Sequence, residues 1–244
     1  MLSGPPCGAH VTLAGVSPSN VCPAQIEQAL CYGGRMPRPR VYDPDTVLDA
    51  AEVLATRSGP AAVSIRAISA EVGVSNGAVY HTFTSRGGLM GRAWLRAGRR
   101  FLAIQTAMVD EAFANSGEDA AVDAVVAAAD APVAFAGKFS DSAKLLLSVR
   151  REEVLAGDIP DDVAAELRDL DKLLVQLMVR LATAVWDRKD AAAVDVIASC
   201  IVDLPTALLL HRDRLQNATA RAQLHAAVRA VLAAGPPPPR RRAG

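Results

Sequence analysis

Residues 64–83 read SIRAISAEVGVSNGAVYHTF. Ser64 and Ser75 are residues whose side-chain oxygen caps the start of a helix, and Gly73 between them takes the left-handed backbone that ends one. Ile65, Ile68 and Val72 fall on one side of a helix over 65–72, and Val79 and Phe83 lie one turn apart on a second over 76–83. Two short helices meeting at a tight turn on Gly73 and Val74 form a helix-turn-helix, in which the second helix enters the major groove of DNA. The polar residues that follow the break then face outward.

Upstream, Val47, Leu48, Ala51, Leu54 and Ala55 recur at helical spacing from Asp43 until Gly59 and Pro60 end the run. Downstream, Ser85 starts a long helix through residue 114. Ile68, Val72, Val74 and Val79 are expected to pin the two short helices against these neighbours. Five further helices are predicted at roughly 118–136, 140–156, 160–188, 190–214 and 218–234. The predicted fold is all-α, with an N-terminal three-helix helix-turn-helix domain joined by a long helix to a C-terminal helical bundle. Residues 1–35, whose first 34 carry one charge and many Gly, Pro and Ser, read as a disordered upstream extension ahead of Met36 as the native start. Residues 36–90 form the reading domain, 91–235 the ligand-binding and dimerisation domain, and 236–244 a disordered Pro/Arg tail.

Composition supports this reading. In 244 residues, 51% are hydrophobic and 4% aromatic, enough for a sizeable core and biased towards helix over strand. Charge is unevenly shared: residues 35–100 hold ten Arg against five acidic residues, net +5, whereas 101–235 hold 13 Lys and Arg against 20 acidic residues, net −7. Only the first portion suits a polyanion. Cys7, Cys22, Cys31 and Cys200 have neither metal-site spacing nor the density of a disulfide scaffold, which fits a reducing cytoplasm. No run of 18 apolar residues and no signal peptide is evident, so export and membrane association are not expected. No cofactor or metal is expected: His211 and His225 share no ligand spacing and read as surface or interface residues. "RREE" at 150–153 and "PDD" at 160–162 read as a salt-bridged helix face and a helix start. An enzyme would need an aligned nucleophile and base, a metal cluster or a phosphate loop, and no such pattern is found.

Within the reading domain, Ser75, Asn76, Gly77 and Ala78 are small enough for close approach of backbone to base edges, and Asn76 both donates and accepts. Tyr80 and His81 lie farther along, where phosphates pass. Arg66 and Arg86 flank the groove as phosphate clamps, and Arg38 and Arg40 precede the first helix as a basic arm.

Three stretches, "VLDAAEVLATRSG", "SIRAISAEVGVSNGAVYHTF" and "TSRGGLM", resemble in register the DNA-binding domain of the tetracycline-repressor (TetR) family of bacterial regulators, over about fifty residues at 41–90. The resemblance implies DNA contacts from Ser64, Arg66, Ser75, Asn76, Gly77, Tyr80 and His81, with a phosphate contact from Arg86 where the family usually has Lys. It also implies a ligand cavity between the C-terminal helices. Departures are Ser69 in place of Ala, Thr82 where His is common, and Gly87, Gly88 and Gly91 in a turn that usually holds Glu. Each mid-helix Gly costs about 1 kcal/mol against Ala, which predicts a soft junction at the start of the long helix.

The function expected is a cytoplasmic, ligand-responsive transcriptional regulator, a repressor released from a palindromic operator by a small apolar or amphipathic effector. The alternative is an architectural or adaptor protein that binds DNA without a small-molecule ligand. Reading two half-sites requires a homodimer, assigned to the apolar helices over 190–214 and 218–234 with Leu204, Leu208 and Val228 at its centre. Phe113, Phe135, Phe139, Met178, Trp186 and Cys200 are candidate core residues, some of which could line the cavity.

Overall fold

The computed structural model describes residues 42–115, 117–210 and 214–238. The predicted extension over 1–35, Arg38, Arg40, His211 and tail residues 239–244 lie outside the described residues. Every regular element among the described residues is helical.

The head comprises α1 (Pro44–Ser58), α2 (Ile65–Val72) and α3 (Asn76–Phe83). Asp43 caps α1 by accepting from the Asp45 N–H at 2.9 Å, and Pro44 occupies the first turn, where its missing N–H costs nothing. A 3₁₀ turn, Pro60–Ala62, leads into α2. Val47, Ala51, Val63, Ile68, Val79 and Phe83, all 0–1% exposed, form the head's core, with Val72 and Val74 packed against it. Burying each of these side chains stabilises the fold by about 1–3 kcal/mol.

The connecting helix α4 (Arg86–Ala114) has 29 residues, about 44 Å at 1.5 Å per residue. Its first third belongs to the head and the rest runs through the body. Around it pack α5 (Ala120–Lys138), α6 (Ser140–Ser148), α7 (Arg151–Leu155), α8 (Asp161–Trp186), α9 (Ala191–Leu210) and α10 (Ala218–Ala234). Predicted bounds for α2, α3 and α4 agree with the structure. The helix expected over 140–156 is instead broken at Val149 and Arg150, whose backbones are extended; the Trp94 indole N–H holds the Val149 carbonyl at 3.0 Å. α9 is α-helical over Ala191–Ala198 and π-helical over Ser199–Asp203 and Thr206–Leu210, flanking Pro205. Proline offers no N–H and its ring displaces the carbonyl one turn back, so the ladder rewinds around it. α10 is fastened to α5 by Arg221, which pairs through Nε with the Asp130 carboxylate at 2.8 and 3.0 Å; His225 Nε2 stands 2.9 Å from the same group. His225 thus packs against an acid of the chain itself and is not a bare surface residue.

The glycines of α4 overturn the expectation of a soft junction. A Cβ on Gly87 would lie 2.2 Å from the Asp158 carbonyl oxygen, one on Gly91 2.9 Å from Val163 Cγ1, and one on Gly98 2.6 Å from Leu170 Cδ2. Lacking that carbon, α4 sits directly against the α7–α8 connection and the α8 face. The Ser85 hydroxyl, besides accepting from the Gly88 N–H at 2.9 Å, donates to the Asp158 carbonyl at 2.7 Å. Glycine here tightens the join of head to body, and the propensity cost is offset by packing that no larger residue allows.

Candidate nucleic-acid interface

The two sequence-predicted caps are present: Ser64 Oγ accepts from the Ala67 N–H at 3.2 Å and Ser75 Oγ from the Ala78 N–H at 3.1 Å. Gly73 between them has φ 72° and ψ 27°, a backbone that favours glycine. Val79 and Phe83 anchor α3 inward, and the opposite side carries Asn76, Gly77, Tyr80 and His81, all exposed, with Tyr80 at 61%. Arg66 is exposed at the start of α2, and no hydrogen bond within the chain engages its guanidinium among those resolved.

Three devices hold the head around α3 in place. The Tyr42 hydroxyl donates to the Ala78 carbonyl at 2.9 Å and also meets the Thr82 hydroxyl, which itself donates to Ala78 at 3.3 Å. Tyr42 was not singled out in the sequence: it stands ahead of α1, and nothing local to it points to α3, 36 residues away. At the other end of α3, Ser85 N–H reaches the Phe83 carbonyl at 2.7 Å and closes a γ-turn about Thr84, whose φ of 60° is rare for a β-branched residue. Arg86 is the third. Its Nε donates to the Val63 carbonyl at 2.7 Å and its terminal nitrogen to Pro60 at 2.6 Å, clipping α4 to the turn before α2. Arg86 remains exposed, but its fork already serves this clip, so a phosphate would be met only by donors left over.

A charged cluster that the sequence reading missed joins α1, α4 and α6. Glu52, 3% exposed, accepts from Arg96 at 3.1 and 2.7 Å and from the Ser142 hydroxyl at 2.5 Å, with Arg100 3.7 Å away. Burial alone would lower the Arg96 pKa; the bond to Glu52 and the charges of Glu52, Asp49 and Asp45 outweigh it and raise it. A glutamate on the apolar stripe of α1, one turn beyond Leu48, was the available signal.

The body holds a cavity of about 360 Å³. Trp94, Phe101 and Gln105 of α4, Pro132 and Phe135 of α5, Leu146, Arg151, Leu174 and the α9 residues Ile201, Pro205 and Thr206 contribute to its wall. Phe101 and Phe135 meet edge-to-face with centroids 5.5 Å apart. Both helices with an internal proline, α5 at Pro132 and α9 at Pro205, give that proline to this wall. Of the expected dimer residues, Leu204 and Leu208 are partly exposed on α9, whereas Val228 is 0% exposed in the chain's own core. Val228 therefore cannot be at the centre of an interface: its side of α10 packs inward with Leu224 and Leu232, and a partner could meet only the opposite side.

Residues 47–93, from within α1 to the second turn of α4, match the sequence profile of bacterial regulatory proteins of the tetR family. The head of the chain is thus similar to the tetR family over those 47 residues. Solved structures agree on the all-α fold. A transcriptional regulator from Pseudomonas aeruginosa PAO1 is similar at 19% identity, TM-score 0.60, over 78% of this chain and 88% of its own. A TetR-family regulator from Rhodococcus sp. follows at 16%, TM-score 0.58, over 78% and 98%, and the fatty acid degradation regulator FadR of Bacillus halodurans at 12%, TM-score 0.56, over 78% and 98%. No curated protein sequence matches the chain. The head thus carries the DNA-binding fold of the tetR family, joined to a helical body.

Proposed function

We propose that the protein is a ligand-responsive repressor that binds a palindromic operator as a homodimer through Asn76, Gly77, Tyr80 and His81, flanked by Ser64, Arg66 and Ser75, and is released by a small effector. It acts by binding and not by catalysis. The observation that carries this reading is the pairing of an exposed polar face on a firmly held α3 with a mainly apolar cavity along the same connecting helix, α4. A body without a cavity would have favoured the adaptor reading; one of about 360 Å³ lies in the range of small-molecule sites. The effector is coupled to DNA because α4 carries both the cavity wall and, at Gly87 and Ser85, the join to the head; a ligand that favours one setting of α4 changes DNA affinity by its differential binding to the two settings. Arg38 and Arg40 supply the basic arm, and Arg86 positions α4 and adds at most a secondary phosphate contact. The reading domain extends over 36–90, the ligand-binding and dimerisation domain over 91–235, and a cytoplasmic location follows from the role.

Dimerisation is assigned to α9 and α10 around Leu204 and Leu208. α9 has a mean hydropathy of 1.9 over its apolar stretch, yet only 33% of that stretch is buried within the chain. An apolar side this open is covered in a regulator by a second copy, which also sets two recognition helices about 34–36 Å apart, one turn of DNA. The test is selection of bound duplexes from a random DNA pool by the purified protein. An inverted repeat is expected; recovery of no common sequence would overturn the operator reading.

A further inference from the structure

Gln105 is 1% exposed, lies in the wall of the cavity, and is only half satisfied. Its Nε2 donates at 3.0 Å to the Ala128 carbonyl of α5. That carbonyl is free because the residue one turn on is Pro132, which has no N–H to return. The bond fixes the amide orientation, since the reverse would set two oxygens face to face. Gln105 Oε1, buried, then has no hydrogen-bond partner among the described residues. An acceptor left unmet in an apolar site loses its hydration with nothing in return. A leucine would fill the wall without that cost, but it would leave the Ala128 carbonyl unmet.

Among the described residues the only charges in the wall are Arg151 and Asp171, which pair across α7 and α8. The Trp94 indole N–H is already given to Val149. The lining thus leaves two buried polar atoms unpaired, the acceptor Gln105 Oε1 and the donor Arg151 Nε, amid aromatic and aliphatic surface with no net charge.

We infer that the effector is an uncharged, mainly apolar molecule carrying one hydroxyl or amide N–H donor, which it gives to Gln105 Oε1. This rests on the cavity being the effector site. An anion would meet the unpaired oxygen unfavourably and find Arg151 already neutralised, and a pure hydrocarbon would leave the oxygen buried and unpaired. Such a site rejects an analogue lacking the donor far more strongly than one differing by a methylene.

The probes are 4-butylphenol and its isomer 4-propylanisole, equal in atom count and differing in the O–H donor, with 4-propylbenzoate as the charged arm. Calorimetric titration of the full-length protein is expected to give at least tenfold tighter binding of the phenol than of the anisole, and at least tenfold tighter than of the benzoate. In Gln105→Leu the phenol's advantage over the anisole is expected to fall below threefold while the anisole still binds. Equal binding of phenol and anisole to the wild-type protein, which requires no variant to fold, would overturn the inference and leave the cavity as a ligand site. So would preference for the benzoate. Absence of binding by all three would overturn the cavity as an effector site and the inference with it.

Discussion

Gly87→Ala separates the tight-join account of α4 from the propensity argument, because the two give opposite signs. Alanine in a helix is favoured over glycine by about 1 kcal/mol, less near a terminus, so propensity alone makes this variant more stable. In the structure the new Cβ would stand 2.2 Å from the Asp158 carbonyl oxygen and 2.6 Å from its carbon, where ordinary contact begins at 3.4 Å. These are backbone atoms, so α4 and the α7–α8 connection must part by about 1 Å, an overpacking cost of about 1–3 kcal/mol. Parting them also stretches the 2.7 Å bond from Ser85 to Asp158, worth about 0.5–1.5 kcal/mol. The net expectation is about 1–3 kcal/mol of destabilisation, a fall in Tm of roughly 3–10 °C for a chain of this size. Gly137→Ala is the control: it lies in the last turn of α5, and its Cβ would meet nothing within 4 Å, so a gain of up to about 1 kcal/mol is expected. Thermal melts followed by circular dichroism at 222 nm, at one protomer concentration, measure both. A Gly87→Ala protein as stable as wild type, or more so, would refute the close contact of head and body.

Other expectations follow from particular groups. Glu52→Ala removes the buried partner of Arg96 and Ser142 and should cost about 2–4 kcal/mol in urea melts, below the full penalty for an orphaned charge because Asp45 and Asp49 still face Arg96 at 3.2 and 2.7 Å. The Cys200 thiol, buried and pushed up to about 11 by desolvation, is a thiolate only at strongly alkaline pH; peptide mapping should find it unalkylated by iodoacetamide at pH 8 in the native protein and alkylated in denaturant. Leu208→Arg should give folded monomer or aggregate by light scattering with DNA binding lost, and an unaffected dimer would remove α9 from the interface. Replacing Arg38 and Arg40 by Ala should flatten the slope of log affinity against log salt by about 2 if both meet phosphates.

The head was legible because its punctuation is local. Ser64, Ser75 and Ser85 each cap the N–H three residues on, and Gly73 needs only its own backbone, so short sequence intervals specify α2, α3 and the start of α4. What was illegible depends on partners distant in the chain. Gly87 reads as a helix breaker until Asp158, 71 positions on, is seen against it; Tyr42 acquires its role from Ala78, and Glu52 from Ser142, 90 positions away. Val228 was misplaced because α10 is rich in small apolar residues on both sides, so periodicity could not say which side faces the core. Gln105 was invisible for a related reason: its amide matters only because Pro132, on a different helix, leaves a carbonyl unpaired.

The most direct test of the account is fluorescence anisotropy of Asn76→Ala and Tyr80→Ala with the duplex recovered by selection and a scrambled duplex, at one salt concentration, after circular dichroism has established that both variants are folded. Asn76→Ala should lose about 1–3 kcal/mol of affinity, roughly 5- to 150-fold, for the selected duplex alone, whereas Tyr80→Ala should weaken binding to both duplexes. Wild-type affinity of both variants for the selected duplex would contradict the assignment of α3 as the DNA-reading helix.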